Sequence, residues 1–183
     1  MFVIDNVISE KYSQLIFDRA AQLKWTFVPD ISIGSNGTNS KPGFSYNFYL
    51  GADYNNNEPK DIVSSEYDLI SPMLLEAFDK LNVNFSLSDV FRSRARLTVQ
   101  QPGLDERGRI DTPHRDYMFP HWVLIYYVNT IDGDTVLYEG DTVVERVEPR
   151  RGRVCLFDGS RIHSSSSPTM GPRIIINNNI KTI

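Results

Sequence analysis

The second half of this chain is cut into short runs by turn signals at close intervals, and no other feature constrains the fold as tightly. Residues 94–101 alternate polar with apolar side chains and end at Pro102-Gly103. Residues 121–129 form a long apolar run. Asp132-Gly133 precedes 135–139, Gly140-Asp141 precedes 142–147, and further runs cover 153–157 and 173–180. Alternation and short apolar runs read as strands, and the Gly- and Asp-containing pairs between them read as turns. Such short strands cannot bury a face alone. They predict a closed or sandwiched antiparallel fold.

The first half differs. Ser9 can cap a helix over residues 10–24, whose Tyr12, Leu15, Ile16, Ala20 and Leu23 fall on one apolar stripe. Residues 25–28 and 44–50 read as strands, and 34–43 and 53–60, rich in Gly, Asn and Ser, as loops. Ser71 as N-cap with Pro72 at the first helical position predicts a helix over 73–81. The expectation is a mostly β fold with flanking helices. The 183 residues suit one domain, with residues 1–90 as helical and mixed support and 91–183 as the β core.

The net charge of -4 argues against a nucleic-acid binder that works by neutralising phosphates. The basic stretch over residues 146–153 reads as a solvated turn around Pro149. The single cysteine, Cys155, lies in the run Val154-Cys155-Leu156-Phe157, so no intrachain disulfide can form and a buried strand position in a reducing compartment is expected. Residues 1–5 show no secretory pattern and no run reaches membrane-spanning length, which makes a cytoplasmic protein with no membrane partner the expectation.

His114-Arg115-Asp116 follows the turn Thr112-Pro113. On an extended segment residues two apart point the same way, so His114 and Asp116 can reach one ion. His163 would supply a third ligand from a distant strand. Two imidazoles and one carboxylate form the facial set that binds non-haem Fe(II) and leaves positions open. A structural zinc site would need a fourth ligand, and there is no cysteine pair to provide it. The alternative at this point is that the histidines are unrelated, since a chance His-x-Asp with a later His is not rare.

The stretch 92–180 resembles the Fe(II)/2-oxoglutarate dioxygenases, in particular their prolyl 4-hydroxylase-like branch, which carry an H-x-D…H…R/K pattern. His114, Asp116, His163 and Arg173 occur in that order. Gln101-Pro102-Gly103, the strand 124–129 with its paired Tyr126 and Tyr127, the segment 132–137 and the strand 152–157 are similar to further family segments, although Gln101 stands for an aromatic residue and Asp134 for a glycine. The resemblance implies a double-stranded β-helix (jelly-roll) core with N-terminal helices outside, Fe(II) on His114, Asp116 and His163, 2-oxoglutarate and O2 as cosubstrates, and a possible need for ascorbate. It gives Arg173 and Tyr127 to the distal carboxylate of 2-oxoglutarate. Alternation puts Asn177 and Asn179 on the same face as Arg173, where they could bind the metal-proximal carboxylate or a water. The plainer readings are an edge-strand charge for Arg173, core packing for Tyr127, a strand-end turn for the asparagines, and a satisfied strand histidine for His121.

The implied activity is C–H hydroxylation coupled to decarboxylation of 2-oxoglutarate. The branch favours a peptidyl (prolyl-like) or free amino-acid substrate, with residues 33–49 and 104–111 shaping access and the second as a candidate lid. A nucleic-acid demethylase of the same superfamily is the nearer alternative, but those enzymes carry a second arginine after the first, where this chain has Asn177 and Asn179. A non-catalytic, cupin-like metal-binding protein is the other. It would need no arginine at position 173.

Overall fold

The computed structural model describes residues 1–31, 41–51 and 61–182. In chain order the elements are β1 (Phe2–Ile4), α1 (Glu10–Ala20), β2 (Thr26–Val28), β3 (Gly43–Leu50), β4 (Ile62–Val63), α2 (Tyr67–Leu81), a 3-10 turn (Leu87–Asp89), β5 (Val90–Val99), α3 (Glu106–Arg109), β6 (His121–Tyr127), β7 (Thr135–Glu139), β8 (Thr142–Val147), β9 (Val154–Asp158), β10 (His163–Ser165) and β11 (Pro172–Lys181). A large antiparallel sheet runs β1-β9-β6-β11-β5-β3-β2, with β4 on β3, and a small one runs β10-β7-β8.

Strand β6 shows how the layers form. Its Val123, Ile125 and Tyr127 pack with Leu137 of β7 and Val147 of β8, between the two sheets. Its Leu124 and Tyr126 pack on the other face with Ile16 of α1 and with Ile70, Met73 and Leu74 of α2. Both faces are buried, which is why this strand reads as a continuous apolar run. The result is the jelly-roll sandwich with helices outside that the sequence predicts.

Local chemistry moves several boundaries. Ser9 caps α1, its hydroxyl accepting from Tyr12 N at 3.3 Å, but the helix ends at Ala20 instead of residue 24. The Trp25 indole donates to the Ala20 carbonyl at 3.1 Å and occupies an acceptor that another turn would use. Leu15 is 47% exposed and lies off the buried stripe. Helix α2 starts at Tyr67, and Pro72 sits in its interior instead of at its start. Ile70 is fully buried and Leu69 packs on the core; that burial outweighs the hydrogen bond Pro72 cannot make to the Asp68 carbonyl. Strands β1, β4 and β10 were not predicted, being very short. The expected loops at 34–43 and 53–60 lie outside the described residues except for positions 41–43. Cys155 is buried and free. Among the described residues no helix is long and apolar enough to cross a membrane.

Candidate active site

His114 and His163 are joined by their backbones before their side chains meet. Each donates its N–H to the other's carbonyl at 2.9 Å, an isolated antiparallel bridge. Strand β10 pairs with β7, so the bridge fixes the His114 segment to the small sheet. The imidazole centroids are then 4.8 Å apart. The Nδ1 of His114 lies 3.0 Å from the Thr112 carbonyl, and that of His163 lies 3.2 Å from the Arg161 carbonyl. A carbonyl only accepts, so Nδ1 carries the proton in both rings and Nε2 keeps its lone pair. Burial, opposed in part by Asp116, lowers the His163 pKa to about 4 and keeps this ring neutral at physiological pH. Each of His114, Asp116 and His163 offers one ligand atom, and these atoms lie within 4.8 Å of one another. One nitrogen from each imidazole and a carboxylate at that spacing suit a divalent ion of the Fe(II) type.

Asp116 is held from behind. Its Oδ2 accepts from Asn177 Nδ2 at 3.1 Å and Asn179 Nδ2 at 2.8 Å, and its Oδ1 is 3.0 Å from the Arg92 guanidinium. Arg92 Nε also donates to Asn179 Oδ1 at 2.7 Å, and its guanidinium lies over the Tyr117 ring at 4.8 Å. Burial pushes the Asp116 carboxyl up, but Arg92 and the neighbouring histidines outweigh it and hold the group well below the usual carboxylate range. Asn177 and Asn179, expected to bind the metal-proximal carboxylate or a water, both donate to Asp116 here. Their amides orient the Asp116 carboxylate, and of the two only Asn177 lines the cavity. Alternation gave their face correctly but could not give their partner.

Arg173, at the start of β11, is 1% exposed. Its Nη2 donates to Thr135 Oγ1 at 3.1 Å, and Tyr127 OH donates to the same oxygen at 2.7 Å. Tyr127 is fully buried beneath Thr135 and reaches the cavity through that hydroxyl, while Thr135 itself lines the cavity. Gly133 is required here. Its φ is 101°, and a Cβ would come within 2.7 Å of the Ser166 carbonyl and 3.0 Å of Arg173 Cδ. Arg173 and the His-Asp-His cluster line one cavity, with Ile125 and Ile175 on its walls.

Arg92, Arg94, Arg96 and Thr135 were not singled out from sequence. A signal existed: cations at every second position of a strand with buried neighbours share one face. His121 stays outside the cavity, its Nδ1 facing the Phe119 carbonyl at 2.8 Å amid the rings of Phe91, Tyr117 and Phe119. Residues 33–40 of the first expected access segment lie outside the described residues. The second contains α3, capped by Asp105, and ends at Asp111, which is paired with the buried Lys41 at 3.0 Å.

No family model matches the sequence, and no curated protein does either. Solved structures do. An oxidoreductase of the 2OG-Fe(II) oxygenase family from Burkholderia pseudomallei is similar at TM-score 0.66 and 9% identity, over 94% of this chain and 80% of that one. The viral collagen prolyl hydroxylase from Paramecium Bursaria Chlorella virus-1, in its 2OG complex, gives 0.63 and 13% over 100% and 96%. This chain has the 2OG-Fe(II) oxygenase fold. The non-heme alpha ketoglutarate dependent epimerase SnoN from nogalamycin biosynthesis has it too, with a TM-score of 0.63 and 13% identity over 98% and 78%.

Proposed function

We propose that the protein is an Fe(II)/2-oxoglutarate-dependent dioxygenase that hydroxylates a C–H bond of a peptidyl, prolyl-like or amino-acid substrate. The observation that carries this reading is the shared cavity: a His-Asp-His cluster with both imidazole Nε2 atoms free, and a buried arginine on the same wall. His114, Asp116 and His163 would hold the metal, and Arg173 would hold the far carboxylate of 2-oxoglutarate. The metal would activate O2, the oxidant, which oxidises both the 2-oxo acid and the substrate: one oxygen atom ends in succinate as CO2 is lost, and the other turns the C–H bond into an alcohol.

The chain's own residues bind, orient and keep the site dry. Two neutral imidazoles and one carboxylate leave a divalent ion one positive charge, which a chelating 2-oxo acid can match. The Arg173 fork offers a bidentate, charge-assisted pair of hydrogen bonds. Thr135, tied by Tyr127, fixes the fork's position, and Ile125 and Ile175 exclude water.

A buried arginine beside a metal cluster has no purpose in a cupin-like protein that only binds metal, and desolvating it is costly. The nucleic-acid alternative loses its basic stretch, because Arg146, Arg150, Arg151 and Arg153 pair with Asp134, Glu148, Glu10 and Asp5. Epimerisation is the second reading, since SnoN shares the fold. The test is incubation of Fe(II)-loaded protein with 2-oxoglutarate, O2 and a library of peptides and metabolites. Hydroxylation is expected to add one oxygen atom to one component, with matching succinate. An inverted stereocentre without added oxygen would replace hydroxylation with epimerisation, and no substrate-stimulated succinate would overturn the enzyme reading.

A further inference from the structure

Strand β5 lays Arg92, Arg94, Arg96 and Thr98 along one face. They stand opposite Asn179, Asn177, Ile175 and Arg173 of β11. Arg94 and Arg96 line the same cavity as Arg173 and the His-Asp-His cluster. Two of the four guanidiniums on this wall have work within the protein, Arg92 on Asp116 and Arg173 on Thr135. Among the described residues neither Arg94 nor Arg96 makes an ion pair or a side-chain hydrogen bond, and Arg94 Nε is buried without an acceptor. Opposite it, the Asn177 amide oxygen is also buried without a partner.

We propose that Arg94 and Arg96 form a second anion-binding site, distinct from Arg173, and that the molecule modified in this cavity carries a carboxylate or phosphate which they bind. This rests on the 2-oxoglutarate reading above, and names the class of its substrate.

Charge bookkeeping supports a second anion. Among the described residues that line the cavity, three guanidiniums face the Asp116 carboxylate, so a divalent ion and a dicarboxylate cosubstrate leave the loaded cavity positive. Burial, with Arg92 and Arg96 beside it, pushes the Arg94 pKa well down. Burial and Arg92 bring Arg96 to about 10. A guanidinium still keeps its proton at neutral pH, so the shifts mark two cations held in a place that disfavours them. Both residues are half-buried in the cavity wall; a charge so placed is retained when a partner compensates it, and no described residue does so. Asp111 is already taken by Lys41. Position matters as well. Thr98 is level with Arg173, so Arg96 and Arg94 lie about 7 and 13 Å further along the strand backbone. Arg94 stands opposite Asn177, at the metal end of the cavity, and Arg96 lies between it and the level of Arg173. A carboxylate bound at Arg173 leaves them free, and the open Asn177 oxygen can accept an N–H or O–H from the same ligand.

The test is calorimetric titration of the full chain with inorganic phosphate, after saturation with Mn(II), which stands in for iron, and 2-oxoglutarate. Phosphate is expected to bind without displacing 2-oxoglutarate, and to bind metal-free protein too. Arg94→Gln/Arg96→Gln should weaken phosphate by about tenfold or more while shifting 2-oxoglutarate by less than about threefold, and Arg94→Lys/Arg96→Lys should recover much of the loss. One-for-one displacement of 2-oxoglutarate by phosphate, or phosphate affinity unchanged in the double glutamine variant, overturns the second site. Loss of 2-oxoglutarate in that variant, with Arg173→Gln neutral, also overturns it and moves the cosubstrate to Arg94 and Arg96. Phosphate binding that depends on these arginines in a protein that never binds 2-oxoglutarate would keep the anion site and sink only the dioxygenase reading.

Discussion

Burial presses His163 toward its neutral form, and this has a consequence in the metal-free protein. The folded pKa is about 4, against roughly 6.5 for an exposed histidine. Between those values the unfolded chain takes up a proton that the folded chain does not, so stability falls as pH drops through this window. The loss from His163 approaches about 3 kcal/mol by the low end. Thermal melts of metal-free protein should therefore fall more steeply from pH 6.5 to 4.5 for wild type than for His163→Asn; parallel curves would contradict the assignment. Asn179 makes a second prediction. It touches Asp116 and Arg92 but does not line the cavity, so Asn179→Ala should weaken metal binding by about 10- to 100-fold while leaving metal-free affinity for anions unchanged. The His-x-Asp spacing made the pairing of His114 with Asp116 legible in the sequence. The asparagines were legible only as a face, because the partner of a strand residue depends on which loop folds over it.

Strands β7 and β8 have the boundaries that their flanking glycine turns predict, because a turn with φ above zero ends a strand chemically. Helix α2 is the contrary case. Local rules put Pro72 at a helix start, while burial of Ile70 carries the helix back to Tyr67. Pro72 is exposed and its ring contributes nothing to the core. Pro72→Ala should restore one helical hydrogen bond and raise stability by about 1 kcal/mol, after allowing for the greater freedom of the unfolded chain. Equilibrium urea unfolding measures this, and a lower midpoint in the variant would mean that the proline ring is needed where it lies. Strand β10 escaped the sequence reading because His163-Ser164-Ser165 has no apolar run; its place comes from pairing with β7.

At the scale of the whole molecule, one sandwich brings together residues far apart in sequence. The small sheet delivers His163 and Thr135, the large sheet delivers Arg173 and the β5 arginines, and the bridge between His114 and His163 closes the site. A closed or sandwiched antiparallel fold could be read from the spacing of strands and turns, and the jelly-roll class from the family resemblance. The sheet order could not: β1 pairs with β9 across most of the chain, and a strand of three residues carries too little pattern to announce its partner. The central claim is that this assembly binds Fe(II) and 2-oxoglutarate at one centre, with Arg173 as the carboxylate anchor. Anaerobic titration of the Fe(II)-loaded protein with 2-oxoglutarate tests it most directly. The expected result is a weak visible charge-transfer band that saturates at one equivalent, with Arg173→Gln weakening 2-oxoglutarate by about tenfold or more while iron affinity holds. No band in wild type, or an equal loss of iron and 2-oxoglutarate in the variant, would contradict it.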